Sequence, residues 1–518
     1  MPEQDILLEL PEQPQPAKPS PGMPLPPKFT PIDRSQVLMA YLEVERLISQ
    51  NHFARAIWDL TDRLDLSKFL VGMGSAQGHS GRPSWDPRLL VSIWLYAYSQ
   101  KITSAREIER EMEYEPALQW LCGLQVINHH TLSDFRVEHG AELEELFIQL
   151  LVILDEAGYV SLKRVMHDGT KVRAQAGGNS FRREATVKEK IEQARQLVQG
   201  DPRAEEKANL KRDKARERAQ RERQERLMEA AEEFDRAHAN KSAEERKKAR
   251  VSITEPEARN MKHGDNAIVP SYNLQVSTDA AAGAIVGMHL SQQSDDAHSL
   301  DAAMDEVEKN LGRQPEQVVA DGGFTNRETI IEMDERGIDF IGSLPDRQER
   351  SEAAMKAVGI DPQYAPHFFI FQPETNTLQC PAGKAMGYVG QSRKGGNHYR
   401  QYRAEGSDCS QCEYQKKCCP RTPWKGRMVS RLESEHEVVA KFREKMSTEE
   451  AQQAYKQRSA VAEFPFAWIK EKFGLRKFRV RGMAKAGMEA LWACLAYNVS
   501  IWIRKCWKGQ KSAVGAAA

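Results

Sequence analysis

Two aspartates of this chain each follow a short apolar run and precede glycine: Asp168 in VMHDGT and Asp321 in VVADGG. A carboxylate at the mouth of a strand is costly to desolvate, so it needs a hydrogen-bond partner, a counter-charge or a metal. Taken singly, each Asp-Gly reads equally as a turn. As two strand-end acids of one sheet they can meet in the crevice where open α/β sheets bind ligands, the glycine letting the backbone turn sharply away. A third acid is available far downstream in YKQRSAVAEFPFAWIKEK, where Tyr455, Arg458, Glu463 and Lys470 fall within one helical sector of about 140°. An acid flanked by Arg and Lys can ligate a metal while the cations hold phosphates; a helix surface with ordinary ion pairs is the alternative. Pro465 should kink or restart that helix just after Glu463. His167 should face away from Asp168, because strand neighbours alternate, and is not read as a ligand.

Elements that could position these acids follow from periodicity. Residues 35–158 read as an all-helical domain: apolar residues recur at helical spacing in LEVERLISQNHFARAIWDL and DPRLLVSIWLYAYSQ. Asp86-Pro87 makes a helix start, Ser104 with Glu107 spells a capping box, and a further helix is expected from Thr131. Two of these helices could form a helix-turn-helix that reads DNA, or could only pack on the core or dimerise. Strand signals in SYNLQVSTD, AIVGMHLSQQ, EQVVADGGF and DFIGSL alternate with helices in SLDAAMDEVEKNL and TNRETIIEMDERG, which implies an α/β sheet with crossover connections. The expected layout is a disordered leader over 1–34, the helical domain over 35–158 and the first part of the sheet core over 159–345. A charged helical insertion occupies 181–250, a Cys-rich insertion 346–448, core helices with Glu463 449–505, and a tail 506–518. The charged insertion, a long helix or helical hairpin with little to bury, fits a solvated spacer, a dimerisation element or a DNA contact.

The 74 basic and 74 acidic side chains balance, so net charge argues neither for nor against a nucleic-acid partner, and local asymmetry has to carry that case. Lys470, Lys472, Arg476, Lys477, Arg479 and Arg481 crowd near Phe473 and Phe478, a pattern that suits a DNA backbone or a solvated helix tail. Cys380, Cys409, Cys412 and Cys418, with Cys419 beside them, could form a structural Zn²⁺ site or remain reduced, partly buried thiols. No secretory signal is read at the start and no apolar run reaches bilayer length, so an intracellular protein away from the membrane is expected.

The set H-D-G-T-K, V-x-A-D-G-G-F and Y-x-x-R followed by E and K resembles the DDE transposases of bacterial insertion sequences, and RPSWDPRLLVSIWLYAYSQ with HHTLSDFR resembles their amino-terminal domain. The resemblance spans about residues 80 to 480. It departs from the commonest form in placing four residues, not three, between Arg458 and Glu463; the six between Glu463 and Lys470 fit, and Glu471 is the fallback acid. It implies an RNase-H-like catalytic core in which Asp168, Asp321 and Glu463 share two Mg²⁺ (or Mn²⁺) ions. Two such ions about 3.5 to 4 Å apart activate the attacking oxygen and stabilise the leaving one. It also implies cleavage at element ends, attack of the freed 3′-OH on target double-stranded DNA, Arg458, Lys470 and Tyr455 on the bound strand, a homodimeric active complex and a cytoplasmic, nucleoid-associated bacterial protein. A nuclease of the same fold without strand transfer, and an inactive DNA-binding descendant, are the alternatives.

Overall fold

The structure, a computed structural model, describes residues 41–71, 84–198, 210–344, 347–394, 397–434 and 436–507. The expected leader, most of the Gly-rich loop before Asp86 and the tail beyond 507 lie outside the described residues.

The amino-terminal half begins with helices α1 (Phe53–Thr61), α2 (Pro87–Ser99), α3 (Ala105–Glu111), α4 (Pro116–Cys122), α5 (His129–Glu138) and α6 (Gly140–Glu156). Asp86 caps α2 as its sequence demands, accepting from the Arg88 N–H at 2.8 Å. Ser104 precedes α3 without a side-chain cap, so the capping box does not form. Helix α5 starts two residues before the expected Thr131, because the Asn128 side chain is an equally good cap and takes the His130 N–H at 2.8 Å.

The central sheet contains β1 (Val165–Arg173), β4 (Arg259–Lys262), β5 (Ile268–Asp279), β6 (Ile285–Ser291), β7 (Gln317–Val319) and β8 (Asp339–Ile341). Strand β1 lies in the middle, antiparallel to β5 on one side and parallel to β7, then β8, on the other. Strands β4 and β6 both pair with β5. Helices α10 (Leu300–Leu311) and α11 (Arg327–Glu335) connect β6 to β7 and β7 to β8. Between β1 and β4 comes the charged insertion: β2 (Phe181–Arg182), α7 (Glu184–Val198), α8 (Leu210–Ala237), α9 (Ala243–Lys248) and β3 (Val251–Ser252). It is a helix pair rather than one long helix, and it buries a small apolar cluster of its own from Val187, Ala230, Phe234 and Val251.

Helix α12 (Arg347–Ala357) leads into a second, antiparallel sheet of β9 (Ile370–Gln372), β10 (Thr377–Gln379), β11 (Ala385–Lys394), β12 (Asn397–Arg403) and β13 (Met428–Ser434), with the short helices α13 (Gly406–Ser410) and α14 (Gln415–Cys418) before β13. Helices α15 (Glu437–Met446), α16 (Glu449–Ala467) and α17 (Met483–Trp502) return to the central sheet. Helix α16 does not break at Pro465. It runs through to Ala467 and widens into a π-helical turn over Trp468–Lys472, where the Trp468 N–H reaches the carbonyls of both Phe464 and Pro465. Its small residues Ala451, Ala454 and Ala462 pack on Met166, Val319 and Ile341, which lets the helix lie close over β1, β7 and β8.

Helix α17 is buried along nearly its whole length, which its apolar composition permits. It packs between α2, α5 and α6 and strand β6, so the helical region and the sheet share one apolar core. Trp492 lies against Trp94, and the buried Asn498 clamps β6 by accepting from the Ile285 N–H (2.9 Å) and donating to the Ile285 carbonyl (2.8 Å).

Candidate active site

Strand β1 does not stop at Asp168. It continues five residues to Arg173, because β5 is long enough to pair with it from Val165 to Arg173. Its partner on the other side, β7, ends at Val319 opposite Met166, so the sheet parts just before Asp168. Asp168 is thus a mid-strand residue at the head of a crevice, not a strand end. Its carboxylate accepts from the Gly169 N–H (2.8 Å) and pairs with Arg458 Nη1 (3.2 Å). Burial pushes the Asp168 carboxyl up to about 6; Arg458 and the Gly169 N–H oppose the rise, while Asp321 and Asp296 add to it.

Asp321 lies two residues beyond β7 in a tight turn, where its Oδ1 accepts from the Gly323 N–H (2.7 Å) and its carbonyl accepts from the Thr325 hydroxyl (2.9 Å). The two aspartates therefore face the same crevice, the first from a central strand and the second from a turn.

A third carboxylate, absent from the sequence expectations, joins them. Asp296 sits in the loop between β6 and α10, and its Oδ1 accepts from the side-chain amides of Asn273 (2.8 Å) and Gln275 (2.7 Å) on β5. A carboxylate only accepts, so the Gln275 amide nitrogen must face it and the Gln275 oxygen must face His167 Nε2, 2.9 Å away. The other ring nitrogen of His167 then accepts from Ser277 Oγ (2.9 Å). His167 is fully buried, edge-on to Phe324, and burial pushes its pKa down to about 3, so it is a neutral member of this chain.

The glycines explain how Asp296 fits. A Cβ on Gly169 would stand 2.7 Å from Asp296 Oδ1 and closer still to the Gln275 amide. On Gly323 it would stand 3.0 Å from Asp321 Oδ1 and 3.8 Å from Asp296 Oδ2. Gly169 thus does not turn the chain away from Asp168, as expected; it stays within the strand and keeps space for a neighbouring acid. The sequence held one usable signal: Asn273 and Gln275 are polar residues at alternate positions of a strand that is buried on both faces.

Helix α16 brings its residues to this crevice unequally. Arg458 reaches Asp168, with its guanidinium 5.9 Å from the centre of the Tyr455 ring. Lys470, on the π turn, donates to Thr170 Oγ1 (2.5 Å) and to the Lys171 carbonyl (3.2 Å) on the outgoing half of β1. Burial, then Arg476, lowers the Lys470 pKa. Glu463 lies on the same helix but is exposed, and the acids acting on Asp168 are Asp321 and Asp296. The fallback Glu471 is engaged by Arg476. Among the described residues no three His, Cys, Asp or Glu side chains stand placed to hold a metal ion as they are.

The basic segment is pinned to the same strand: the Arg173 N–H donates to the Arg476 carbonyl (3.2 Å), and the Phe478 N–H to the Arg173 carbonyl (2.9 Å). Phe473, Leu475 and Phe478 are buried, leaving Lys472, Arg476, Lys477, Arg479 and Arg481 exposed. Lys472 lies over the Trp468 ring, and the Arg479 N–H donates to the buried Glu489. In the second sheet Cys380, Cys409, Cys412, Cys418 and Cys419 line a cavity of about 40 Å³. Burial pushes the Cys418 thiol up to about 12 and raises Cys409, whose Sγ accepts from the Arg427 N–H. No described helix is long and apolar enough to cross a membrane.

Residues 379–502 match the family model of a transposase DDE domain, and residues 42–138 match that of a transposase domain. No curated protein matches the chain. Arg458, Glu463, Lys470 and the cysteines lie within the first match, whereas Asp168, Asp321 and Asp296 lie between the two. Both matched segments are transposase segments, they bracket the strands that carry the aspartates, and together they support a DDE-type insertion-sequence transposase.

Proposed function

We propose that this transposase cleaves phosphodiester bonds at the ends of its element and joins the freed 3′-OH to target DNA, with Asp168, Asp321 and Glu463 as the acids of an RNase-H-like centre. The observation that carries the reading is the meeting of Asp168 and Asp321 in one crevice under the helix that bears Arg458, Glu463 and Lys470. The strand order β6-β5-β1-β7-β8, antiparallel on one side of β1 and parallel on the other, supports the fold assignment.

The donor set fits a hard divalent cation: carboxylate oxygens with neighbouring negative charge, beside a single arginine. Such an ion, bound by Asp168 and Asp321 with Glu463, supplies charge stabilisation for the attacking and leaving oxygens. The chain's own groups do the rest. Arg458 balances Asp168 and offers a guanidinium for phosphate oxygens. Lys470 spends two of its three N–H donors on β1 and keeps the third for the strand. The exposed cations from Lys472 to Arg481 continue the phosphate track outward. Two copies of the chain acting on two element ends form the active complex, and Cys380, Cys409, Cys412 and Cys418, which line one cavity, would hold a structural zinc once their thiols close on it.

The test is an assay on DNA carrying the element's ends, with Mg²⁺ or Mn²⁺. Cleavage and strand transfer are expected. Asp168→Asn, Asp321→Asn and Glu463→Gln should each lower cleavage by roughly a thousandfold while end binding stays within a few-fold. Cleavage without joining would reduce the activity to a nuclease; binding without cleavage would leave a DNA-binding descendant. Lost binding in these variants would make the acids structural.

A further inference from the structure

We infer that Asp296 is a further acid of the reaction centre, held in place by the buried Ser277–His167–Gln275 relay, and that it serves the Asp321 side of a divalent-cation site. The inference rests on the metal-dependent reading above.

Three observations lead to it. Among the described residues the Asp296 side chain is anchored through one oxygen. Oδ1 takes both amide donors, from Asn273 and Gln275, while Oδ2 lies on the side of Gly323 where Asp321 Oδ1 also stands. A carboxylate recruited merely to satisfy those two amides would have no reason to stand beside a second carboxylate, since like charges at short range oppose one another. Moreover, its anchors are neutral. Gln275 and Asn273, both uncharged amides, fix the orientation of Asp296. Among the described residues the side-chain partners of Asp296 are amides, and its Oδ2 is left for an incoming cation.

Space is reserved for it as well. Glycine occupies a position on β1, Gly169, where a Cβ would stand only 2.7 Å from Asp296 Oδ1. Because Gly169 lacks a Cβ, Asp296 can approach from the His167 face of the sheet while Asp168 faces α16, and the crevice receives acids from both sides.

Metal ligands are commonly oriented by groups behind them, and removing such a group lowers metal affinity by about ten- to a hundredfold. The experiment measures Mn²⁺ binding to the full-length protein by electron paramagnetic resonance of free Mn²⁺, and melting temperature with and without Mn²⁺. Wild type, Asp168→Asn, Asp321→Asn, Asp296→Asn and Gly169→Ala are compared. Asp296→Asn should bind Mn²⁺ at least about tenfold more weakly, yet melt no lower than wild type in EDTA, because it removes a like charge from the cluster. Gly169→Ala, which keeps every carboxylate but pushes on Gln275 and Asp296, should also weaken Mn²⁺ binding. If Asp296→Asn binds Mn²⁺ as wild type does, while Asp168→Asn and Asp321→Asn do not, Asp296 is not part of the site and the broader reading stands. If Asp296→Asn melts markedly lower in EDTA, its role is structural and the inference falls. If wild type itself binds no Mn²⁺, both readings fall.

Discussion

Replacing Asp168 with Asn should stabilise the metal-free protein even as it destroys activity. The Asp168 carboxyl moves from an ordinary 3.8 to about 6 in the folded chain. At 1.36 kcal/mol for each tenfold change in proton affinity, ionising it costs about 3 kcal/mol more in the folded chain than in the unfolded one. Between pH 4 and 6 the folded state keeps a proton that the unfolded state has lost, so stability falls as pH rises through that window. Above pH 7 the penalty is fully present, and below pH 4 it is absent. Asparagine carries no such penalty; its carbonyl oxygen can accept from the Gly169 N–H, but its NH2 cannot replace the oxygen that accepts from Arg458, which offsets part of the gain. Urea denaturation of both proteins in EDTA at pH 4 and pH 8 measures the difference. The stability of the variant relative to wild type should rise by about 3 kcal/mol from pH 4 to pH 8. Excess Mg²⁺ should reverse the order by stabilising only the wild type. A variant less stable than wild type at pH 8, or an advantage that does not shrink toward pH 4, would refute this account of the site's electrostatics.

Arg458 holds the Asp168 carboxyl lower than burial and its acidic neighbours alone would leave it, so Arg458→Ala should move the acidic limb of the cleavage pH profile upward; an unmoved limb in a folded variant contradicts the ion pair's role. Elemental analysis of protein purified without chelator should find one zinc per chain, and Cys409→Ser with Cys412→Ser should remove it; zinc-free wild type would leave reduced thiols lining the cavity. Asn498→Leu keeps the side-chain branching but leaves the Ile285 N–H and carbonyl buried without their partner, which should lower stability by about 3 kcal/mol; a change under about 0.5 kcal/mol would show that β6 does not depend on this clamp.

How much of this was legible in the sequence varies with the physics that decides each element. Periodic apolar residues located α2, α10, α11, β5, β6 and β8, because amphipathic patterns report burial directly. Boundaries slipped where two residues could serve one purpose: Asn128 rather than Thr131 caps α5. The single core shared by helices and sheet was not read, since it depends on α17, whose partners α2 and β6 lie hundreds of residues before it. Pro465 was read as a break because local propensity counts one lost hydrogen bond, whereas the tertiary contacts of Ala462, Phe466 and Ile469 hold the helix across it.

The acids show the same division at closer range. Asp168 and Asp321 stand out in the sequence because an acid between an apolar run and a glycine is anomalous within a few residues of chain. Asp296, in SDDAHS, looks like an ordinary helix-start acid; what sets it apart is which residues face it, and that is decided by the β1–β5 register. Gly169 pairs with Gln275 and His167 with Ser277, so a shift by one residue would turn the whole polar chain to the other face of the sheet. The register is fixed in turn by the unbroken pairing from Val165 to Arg173, the continuation past Asp168 that the glycine was expected to prevent. One misread glycine therefore hid both the length of the central strand and the third carboxylate, because the strand must run on past Asp168 for β5 to present Asn273 and Gln275 to Asp296.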